Sequence, residues 1–430
     1  MVFNTQTDRL NNSNLIWESR NYFLLNWKNK YPQPSGEGFC GMIIFRNDSV
    51  YLVRNGEIIK KLTGFGSSVF KDLEIDQQVP SKVLISGDWI EYFESKSLDH
   101  DKVCAIRLLS PNLKDSGHIS DVNLAVRNWA IFINNVRRYF VNEKFDELNT
   151  PTLVHCPGTE PFLDPFKTEF KFGSRVESFF LPTSPEIHLK KCLAKGWDRI
   201  FEIRPCFRNG EVSPTHQPEF FMLEWYRAFS SMNEIQRDIQ NLVKMLSPNL
   251  KTEEWVSKSV ADLFQDYLNF KLTPTTTDSD LFELAKSLNI EVSNEDDFDD
   301  LFFILFLQHI EPHLKEYKGL FLHSYPPSQA ALARLTPEGW GDRFEFYLEG
   351  LEIANAFNEL NNPEIQRSRT LEDLKKKKEL GKISVPIDED FFEHLNGGMP
   401  PSCGIALGLD RLFMVLNNFK DICEFRLFAI

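Results

Sequence analysis

What the chain lacks narrows it first. No apolar run in its 430 residues reaches the ~18 that a membrane-spanning helix needs. The polar start, Met1 to Asn14, has no basic-then-apolar pattern of a secretory signal. Its seven cysteines (Cys40, Cys104, Cys156, Cys192, Cys206, Cys403, Cys423) are scattered, odd in number and without a C-x-x-C pair. That argues against a disulfide framework and predicts a reduced, cytoplasmic protein with no membrane partner. A basic excess is also missing: 48 Lys and Arg face 62 Asp and Glu, a net charge of −14. Such a balance excludes a protein whose whole surface is an RNA platform. There is no internal repeat and no low-complexity tract. The run Lys375 to Lys378 is expected to be a solvated helix face rather than a nucleic-acid clamp.

What is there describes a globular protein with a large core: 42% of residues are hydrophobic and 13% aromatic. The length suits two or three domains. Residues 1–36 are mixed and polar, ending in Tyr31-Pro32-Gln33-Pro34-Ser35-Gly36. Short β-like runs follow: Met42 to Phe45, Tyr51 to Val53, Ile58-Ile59 after an Asn55-Gly56 turn, Val83 to Ile85, Gly87 to Tyr92, and Val103 to Ile106. About five strands in this stretch suit a small barrel of the OB type, so residues 1–115 are taken as an OB-like domain. Mixed charge there favours a docking or remnant domain over oligonucleotide binding.

Asn112 to His118 has the look of a linker, and residues 116–430 form the second expected domain. Val126, Trp129, Ala130, Ile133, Val136 and Phe140 recur at helical spacing, which predicts an amphipathic helix over 121–143. A proline-bearing extended segment, Asn149 to Leu153, comes next. Residues 232–320 carry mostly helical patterns.

Two segments carry the chemistry. The first runs Phe207-Arg208-Asn209-Gly210-Glu211 and continues through Pro218-Glu219-Phe220-Phe221-Met222-Leu223-Glu224-Trp225-Tyr226. The second is Gly404-Ile405-Ala406-Leu407-Gly408-Leu409-Asp410-Arg411-Leu412. They resemble motifs 2 and 3 of the class II aminoacyl-tRNA synthetases, and the helix with its proline strand resembles motif 1, the dimer interface of that superfamily. The resemblance implies an α+β fold, an antiparallel sheet flanked by helices, in a homodimer, with 232–320 as an insertion. It implies that Arg208 and Arg411 are catalytic and grip ATP from opposite ends while a carboxylate attacks the α-phosphate. A planar guanidinium suits that task, because it can contact the carboxylate and the phosphate together. Phe220 would stack on adenine.

Between these motifs, Arg343 to Ile353 alternates and breaks at Glu349-Gly350. A turn there makes a hairpin that brings Glu345 and Glu352 to one side, where two carboxylates near a triphosphate suit Mg²⁺. Directly after it, Glu352 to Leu360 is similar to the E-x-x-N-G-F-x-E-L of lysyl-tRNA synthetases. Closer still is the family of elongation factor P (R)-β-lysine ligases. Thr183-Ser184-Pro185-Glu186-Ile187-His188, His323 to Ala330 and Cys403 to Gly408 all look like it, and the likeness covers about residues 121–430.

By that resemblance Ser184, Pro185, Glu186, Tyr226, Glu352, Asn355, Glu359 and Ala406 bind the amino acid, with Glu359 facing its side-chain amine. Arg208, Asn209, Gly210, Gln217, Phe220, Glu345, Phe346, Gly408 and Arg411 bind ATP. Ala406 stands where lysyl-tRNA synthetases usually have glycine. Gly210 replaces a usual glutamate, which Glu211 is placed to supply, and Gln217 stands where asparagine is common. The implied activity is ATP-dependent activation of lysine or (R)-β-lysine and transfer to a lysine of elongation factor P, with tRNA not the expected acceptor. The alternatives are a lysyl-tRNA synthetase, a ligase for another small-molecule or carrier acceptor, and an inactive regulator.

Overall fold

The structure is a computed structural model. It describes residues 125–330 and 332–426 in full, the backbone of 119–124, and the backbone of five strands before them. These are β1 (Gly38–Arg46), β2 (Ser49–Arg54), β3 (Glu57–Leu62), β4 (Trp89–Ser95) and β5 (Lys102–Ser110). They pair antiparallel in the order β3-β2-β1-β4-β5. The expected strand Val83 to Ile85, the turn at Asn55-Gly56, the segment 1–36 and the linker Asn112 to His118 lie outside the described residues. By internal contacts the chain separates into two compact units, Met1–Ile131 with Glu424–Leu427, and Phe132–Cys423 with Phe428–Ile430.

The helix read from the apolar spacing is α1 (Ile119–Asn142). Val136 and Phe140, one turn apart, are both fully buried. The larger unit is built on an eight-stranded sheet. Its strands are β6 (Asp146–Glu147), β9 (Arg199–Phe207), β10 (Glu219–Ala228), β11 (Val256–Ser259), β12 (Gly319–Tyr325), β13 (Gly341–Leu348), β14 (Leu351–Asn358) and β15 (Ser402–Gly408). Their order is β11-β12-β13-β14-β15-β10-β9-β6, antiparallel except at the β11–β12 and β6–β9 pairs. A separate hairpin joins β7 (Lys167–Phe172) to β8 (Arg175–Phe180).

The helices of this unit are α2 (Glu186–Ala194), α3 (Met232–Leu246), α4 (Val260–Leu268), α5 (Asp278–Ser287), α6 (Phe298–His309), α7 (Pro363–Glu379), α8 (Glu389–Gly397) and α9 (Leu409–Leu416). Helices α3 to α6 fall in the segment read as helical, and each begins with a capping box: Ser231/Glu234, Ser259/Asp262, Thr277/Asp280 and Asp297/Asp300. Phe264, Leu281, Leu301, Phe302 and Leu305 make α4 to α6 a satellite core against β12. Among the described residues no helix is long and apolar enough to cross a membrane.

The lysine run on α7 corrects an expectation. Lys375 is solvated, but Lys376 pairs with Asp297 (3.1 Å) and Lys377 is only 2% exposed. A helix turns about 100° per residue, so four consecutive lysines cannot share one face.

Candidate active site

One row of side chains crosses the sheet and lays out the site. In antiparallel pairs, residues directly opposite point to the same face. Glu202 on β9 opposes Glu224 on β10, Glu224 opposes Ala406 on β15, Ala406 opposes Asn355 on β14, and Asn355 opposes Glu345 on β13. The next row toward the nucleotide motifs joins Arg204, Met222 and Gly408. Above these rows lies a cleft of about 340 Å³. Of the residues expected in the site, Ser184, Glu186, Arg208, Gln217, Phe220, Glu352, Asn355, Ala406, Gly408 and Arg411 line it.

One end of the cleft is cationic. Arg208 ends the β9 side of the first motif, with its guanidinium 5.1 Å from the Phe220 ring and 3.8 Å from Glu211. Its Nε is buried and meets no hydrogen-bond partner among the described residues. A guanidinium with an orphaned buried donor fits an anionic ligand, since leaving the donor unpaired costs free energy. Gly210 sits in the turn after Arg208 at φ +84, a conformation that disfavours glutamate although the space around it is open. Glu211, one residue on, is the acid that lines the cleft. Asn209 is tied by its backbone to Asp164, and neither it nor Gly210 lines the cleft.

Gly408 caps α9 and Arg411 stands on its first turn. Its guanidinium donates to the Glu352 carbonyl (2.9 Å), lies 3.5 Å from the Glu352 carboxylate and contacts His216 Nε2. Burial, then Arg411, holds His216 below its ordinary pKa. The ring is therefore neutral, with Nε2 accepting from Arg411 and Nδ1 within 2.8 Å of Ser213 Oγ. Thr215 and His216 line the cleft and were not read from the sequence.

The other end is acidic. Glu186 and Ser184 stand at the start of α2, Glu160 on the loop before β7, and Glu224 on the sheet floor. Glu224 is 1% exposed with one oxygen unpartnered. Burial and then Glu186 push its pKa well up. Burial and then Glu345 push Glu352 up to about 7. One cation sits beneath this group: Lys190, 1% exposed, is 2.5 Å from Glu186 and 2.6 Å from Glu359. Its ammonium is held charged by those two acids.

Four expected residues lie outside the cleft lining. The partner of Glu359 is the chain's own Lys190, and the carboxylate is fully buried outside the cleft lining. Tyr226 is buried two residues beyond Glu224, donating its hydroxyl to that carboxylate at 3.1 Å. Phe346 is fully buried on the other face of β13, packed on Trp255 and Phe321, so its ring does not meet a ligand in the cleft. Alternation along a strand is the reason, as its neighbour Glu345 faces the site side. Pro185 is the buried N-cap of α2 and orients its neighbours.

Glu345 and Glu352 are the two acids expected to hold a metal. The hairpin forms at Glu349-Gly350 and brings Glu345 and Glu352 to one face as expected. Glu345, however, accepts from Arg343 at 2.5 Å on one oxygen and from Tyr325 and Tyr347 at 2.6 Å on the other. The oxygen that meets Arg343 accepts one hydrogen bond and keeps a lone pair toward the face that Glu345 shares with Glu352. Among the described residues no group of three or more His, Cys, Asp or Glu is arranged for a metal.

Comparison with known proteins agrees with this geometry. Residues 119–430 match the family model of class II tRNA synthetases (D, K and N). Over 306 residues the chain is 36% identical to a Haemophilus influenzae (strain PittGG) protein named elongation factor P--(R)-beta-lysine ligase, covering 70% of this chain and 93% of the relative. Proteins of the same name from Proteus mirabilis (strain HI4320) and Edwardsiella ictaluri (strain 93-146) are each 34% identical over 308 residues, with the same coverage.

Proposed function

The chain belongs to the class II tRNA synthetase family (D, K and N), and from that membership we propose that it is an AMP-forming ligase of (R)-β-lysine or lysine. In this reading it transfers the activated acyl group to a lysine side chain of elongation factor P. The observation that carries the substrate class is the charge division of the cleft. An acidic end with Glu160, Glu186 and Glu224 suits ammonium groups, and a cationic end with Arg208 and Arg411 suits carboxylate and phosphate. The acceptor follows from the relatives, whose names give elongation factor P and β-lysine.

In the first step the amino-acid carboxylate attacks the α-phosphate of ATP, pyrophosphate leaves, and an acyl-adenylate remains. Arg208, with its orphaned donor, neutralises charge between attacking and attacked groups, and Arg411 does so from the far side over Glu352 and His216. Phe220 offers a ring face for adenine beside Arg208. Ligases of this class use ATP, typically with Mg²⁺. Glu345 and Glu352, on one face of the hairpin, would hold that ion, and it would neutralise phosphate charge there. In the second step an acceptor amine attacks the carbonyl and AMP leaves. That amine must lose its proton, its reference pKa being about 10.4.

The antiparallel order β3-β2-β1-β4-β5 supports an OB-like reading of 1–115, beside a catalytic domain over 116–430. Exposed Val141 and Leu153, on and after the motif 1-like helix, support a homodimer through that face. Unpaired Cys156, Cys192, Cys206, Cys403 and Cys423 support a reducing, cytoplasmic setting.

The test is a paired transfer assay with labelled (R)-β-lysine and lysine, offering elongation factor P and total tRNA from one organism. Label is expected on the protein. Label on tRNA alone would promote the lysyl-tRNA synthetase reading in its place.

A further inference from the structure

The loop between α1 and β7 brings an acid to the cleft that no motif announces. Glu160 lines the cleft beside Ser184 and Glu186, and its Oε2 is buried with no hydrogen-bond partner among the described residues. The carboxylate is folded back over Gly158: a Cβ on that glycine would lie 2.3 Å from Oε2. Gly158 is at φ +129, so neither the space nor the backbone there admits a side chain. The acid is thus held in the cleft by its own loop rather than left to solvent.

The loop is fastened from behind by α7. Lys377 crosses to it and donates to the Glu160 carbonyl (2.8 Å) and to the Leu163 carbonyl. Lys382 pairs with Asp164 at 2.8 Å, and the Asn209 amide holds the Asp164 carbonyl. A buried lysine spent on two backbone carbonyls fixes where the chain runs, because a mobile loop would not repay its desolvation. The same loop is therefore tied both to α7 and to the turn after Arg208.

We propose that Glu160 is a specificity-determining acid that receives the amino group next to the substrate's reacting carboxylate, and that Lys377 is the positioning residue that sets it. This rests on the ligase reading above. A buried carboxylate with an unused acceptor is costly unless a ligand supplies the donor. The charged groups that act on it are Glu186, Arg208, Lys377 and, from α7, Asp373, and both Glu186 and Arg208 line the cleft with it. A carboxylate bound at Arg208 therefore places its own adjacent amine at the Glu160 side. A second ammonium at the far end of the substrate lies toward Glu224 and the Lys190 pair. Which carbon carries the near amine decides whether it reaches Glu160, so this loop, with Ala406 on the floor, distinguishes α- from β-lysine.

The test is amino-acid-dependent pyrophosphate exchange on the full chain, comparing wild type with Glu160→Gln, an isosteric change that keeps the fold. Apparent KM for (R)-β-lysine and for lysine is read alongside KM for ATP. The inhibition constant of 6-aminohexanoate, which lacks the near amine, is measured in the same assay. Glu160→Gln is expected to raise KM for the preferred lysine by about tenfold or more. The rise in KM for ATP, and in the 6-aminohexanoate constant, should be several times smaller. Lys377→Gln should move the same KM in the same direction by a smaller factor. An unchanged lysine KM, or equal rises for lysine, ATP and 6-aminohexanoate, would overturn the inference while leaving the ligase reading intact. Wild-type protein with no exchange on either lysine would overturn both.

Discussion

The two ends of the cleft are built in opposite ways. The cationic end comes from two contiguous stretches, each a strand running into a turn or helix. Arg208 leaves β9, and Arg411 rides on α9 directly after β15. The acidic end is assembled from a loop, the start of α2 and the middle of β10, which supply Glu160, Glu186 and Glu224. In the proposed function the cationic end serves a ligand of fixed shape, a nucleotide, for which a rigid local scaffold suffices. The acidic end would then read the spacing of two amines, and spacing is set by how separate elements are docked. Burial, with Glu186 beside them, pushes the Glu160 and Glu224 carboxyls up, and Lys190 and Lys377 offset part of the charge.

The largest expected effect breaks the cationic end. Arg208→Ala and Arg411→Ala should each slow pyrophosphate exchange by about 10²–10³-fold with the fold intact, since each removes a fixed cation from a charged transition state. Near-normal exchange by a folded Arg208→Ala protein would remove it from the chemistry.

Next in size is the support beneath the acidic end. Lys190→Met leaves Glu186 and Glu359 facing each other without their shared cation. Breaking a buried pair from one side costs about 3–5 kcal/mol, so denaturant unfolding should show a loss of that order. Replacing Glu359 by Gln should cost less stability yet raise the amino-acid KM more than the ATP KM. Equal rises in both would mean that Glu359 serves only the fold.

A pH profile sharpens the contrast further. Glu352 has its pKa raised from 4.5 to about 7. The folded state then holds a proton that the unfolded state has lost between those values. Its contribution to stability is present below pH 4.5 and is lost as pH rises through 7. Amine binding needs the ionised form and should strengthen over the same range. The amino-acid kcat/KM is expected to climb between pH 6 and 8, and Glu352→Gln should flatten the climb. A wild-type profile already flat there would mean that Glu352 is ionised throughout.

The smallest effect belongs to Ala406, opposite Glu224 and Asn355 on the floor. Ala406→Gly should shift the ratio of (R)-β-lysine to lysine exchange toward lysine by several-fold, as one methyl in a pocket is worth ~1–3 kcal/mol. An unmoved ratio would leave selectivity to the walls of the cleft.

How far the sequence spoke follows the same division. Arg208, Phe220, Gly408 and Arg411 were legible because they lie within continuous motifs, and the hairpin at Glu349-Gly350 because its alternation breaks there. Glu224 was inside a quoted segment and was missed. Period-two alternation puts it on one face with Phe220, Met222 and Tyr226, which was signal enough. The same alternation separates Phe346 from Glu345. Lys190 stands four residues after Glu186 on a helix, a spacing that announces a pair. Its second partner, Glu359, is 169 positions away and carries no local mark. Glu160 sits in a loop without period, so only the docking of α7 through Lys377 reveals where it points. The strands β1 to β5 were legible as short apolar runs, while pairing order is a long-range property that no run displays.

The most direct measurement is pyrophosphate exchange by the wild-type chain with four compounds: (R)-β-lysine, lysine, norleucine and 6-aminohexanoate. A cleft with one acidic and one cationic end predicts strong exchange with one or both lysines. It predicts exchange at least tenfold weaker with norleucine, which keeps the near amine and lacks the distal one. Exchange with norleucine equal to that with the lysines would contradict the account, since the acidic end would then not be reading a second amine.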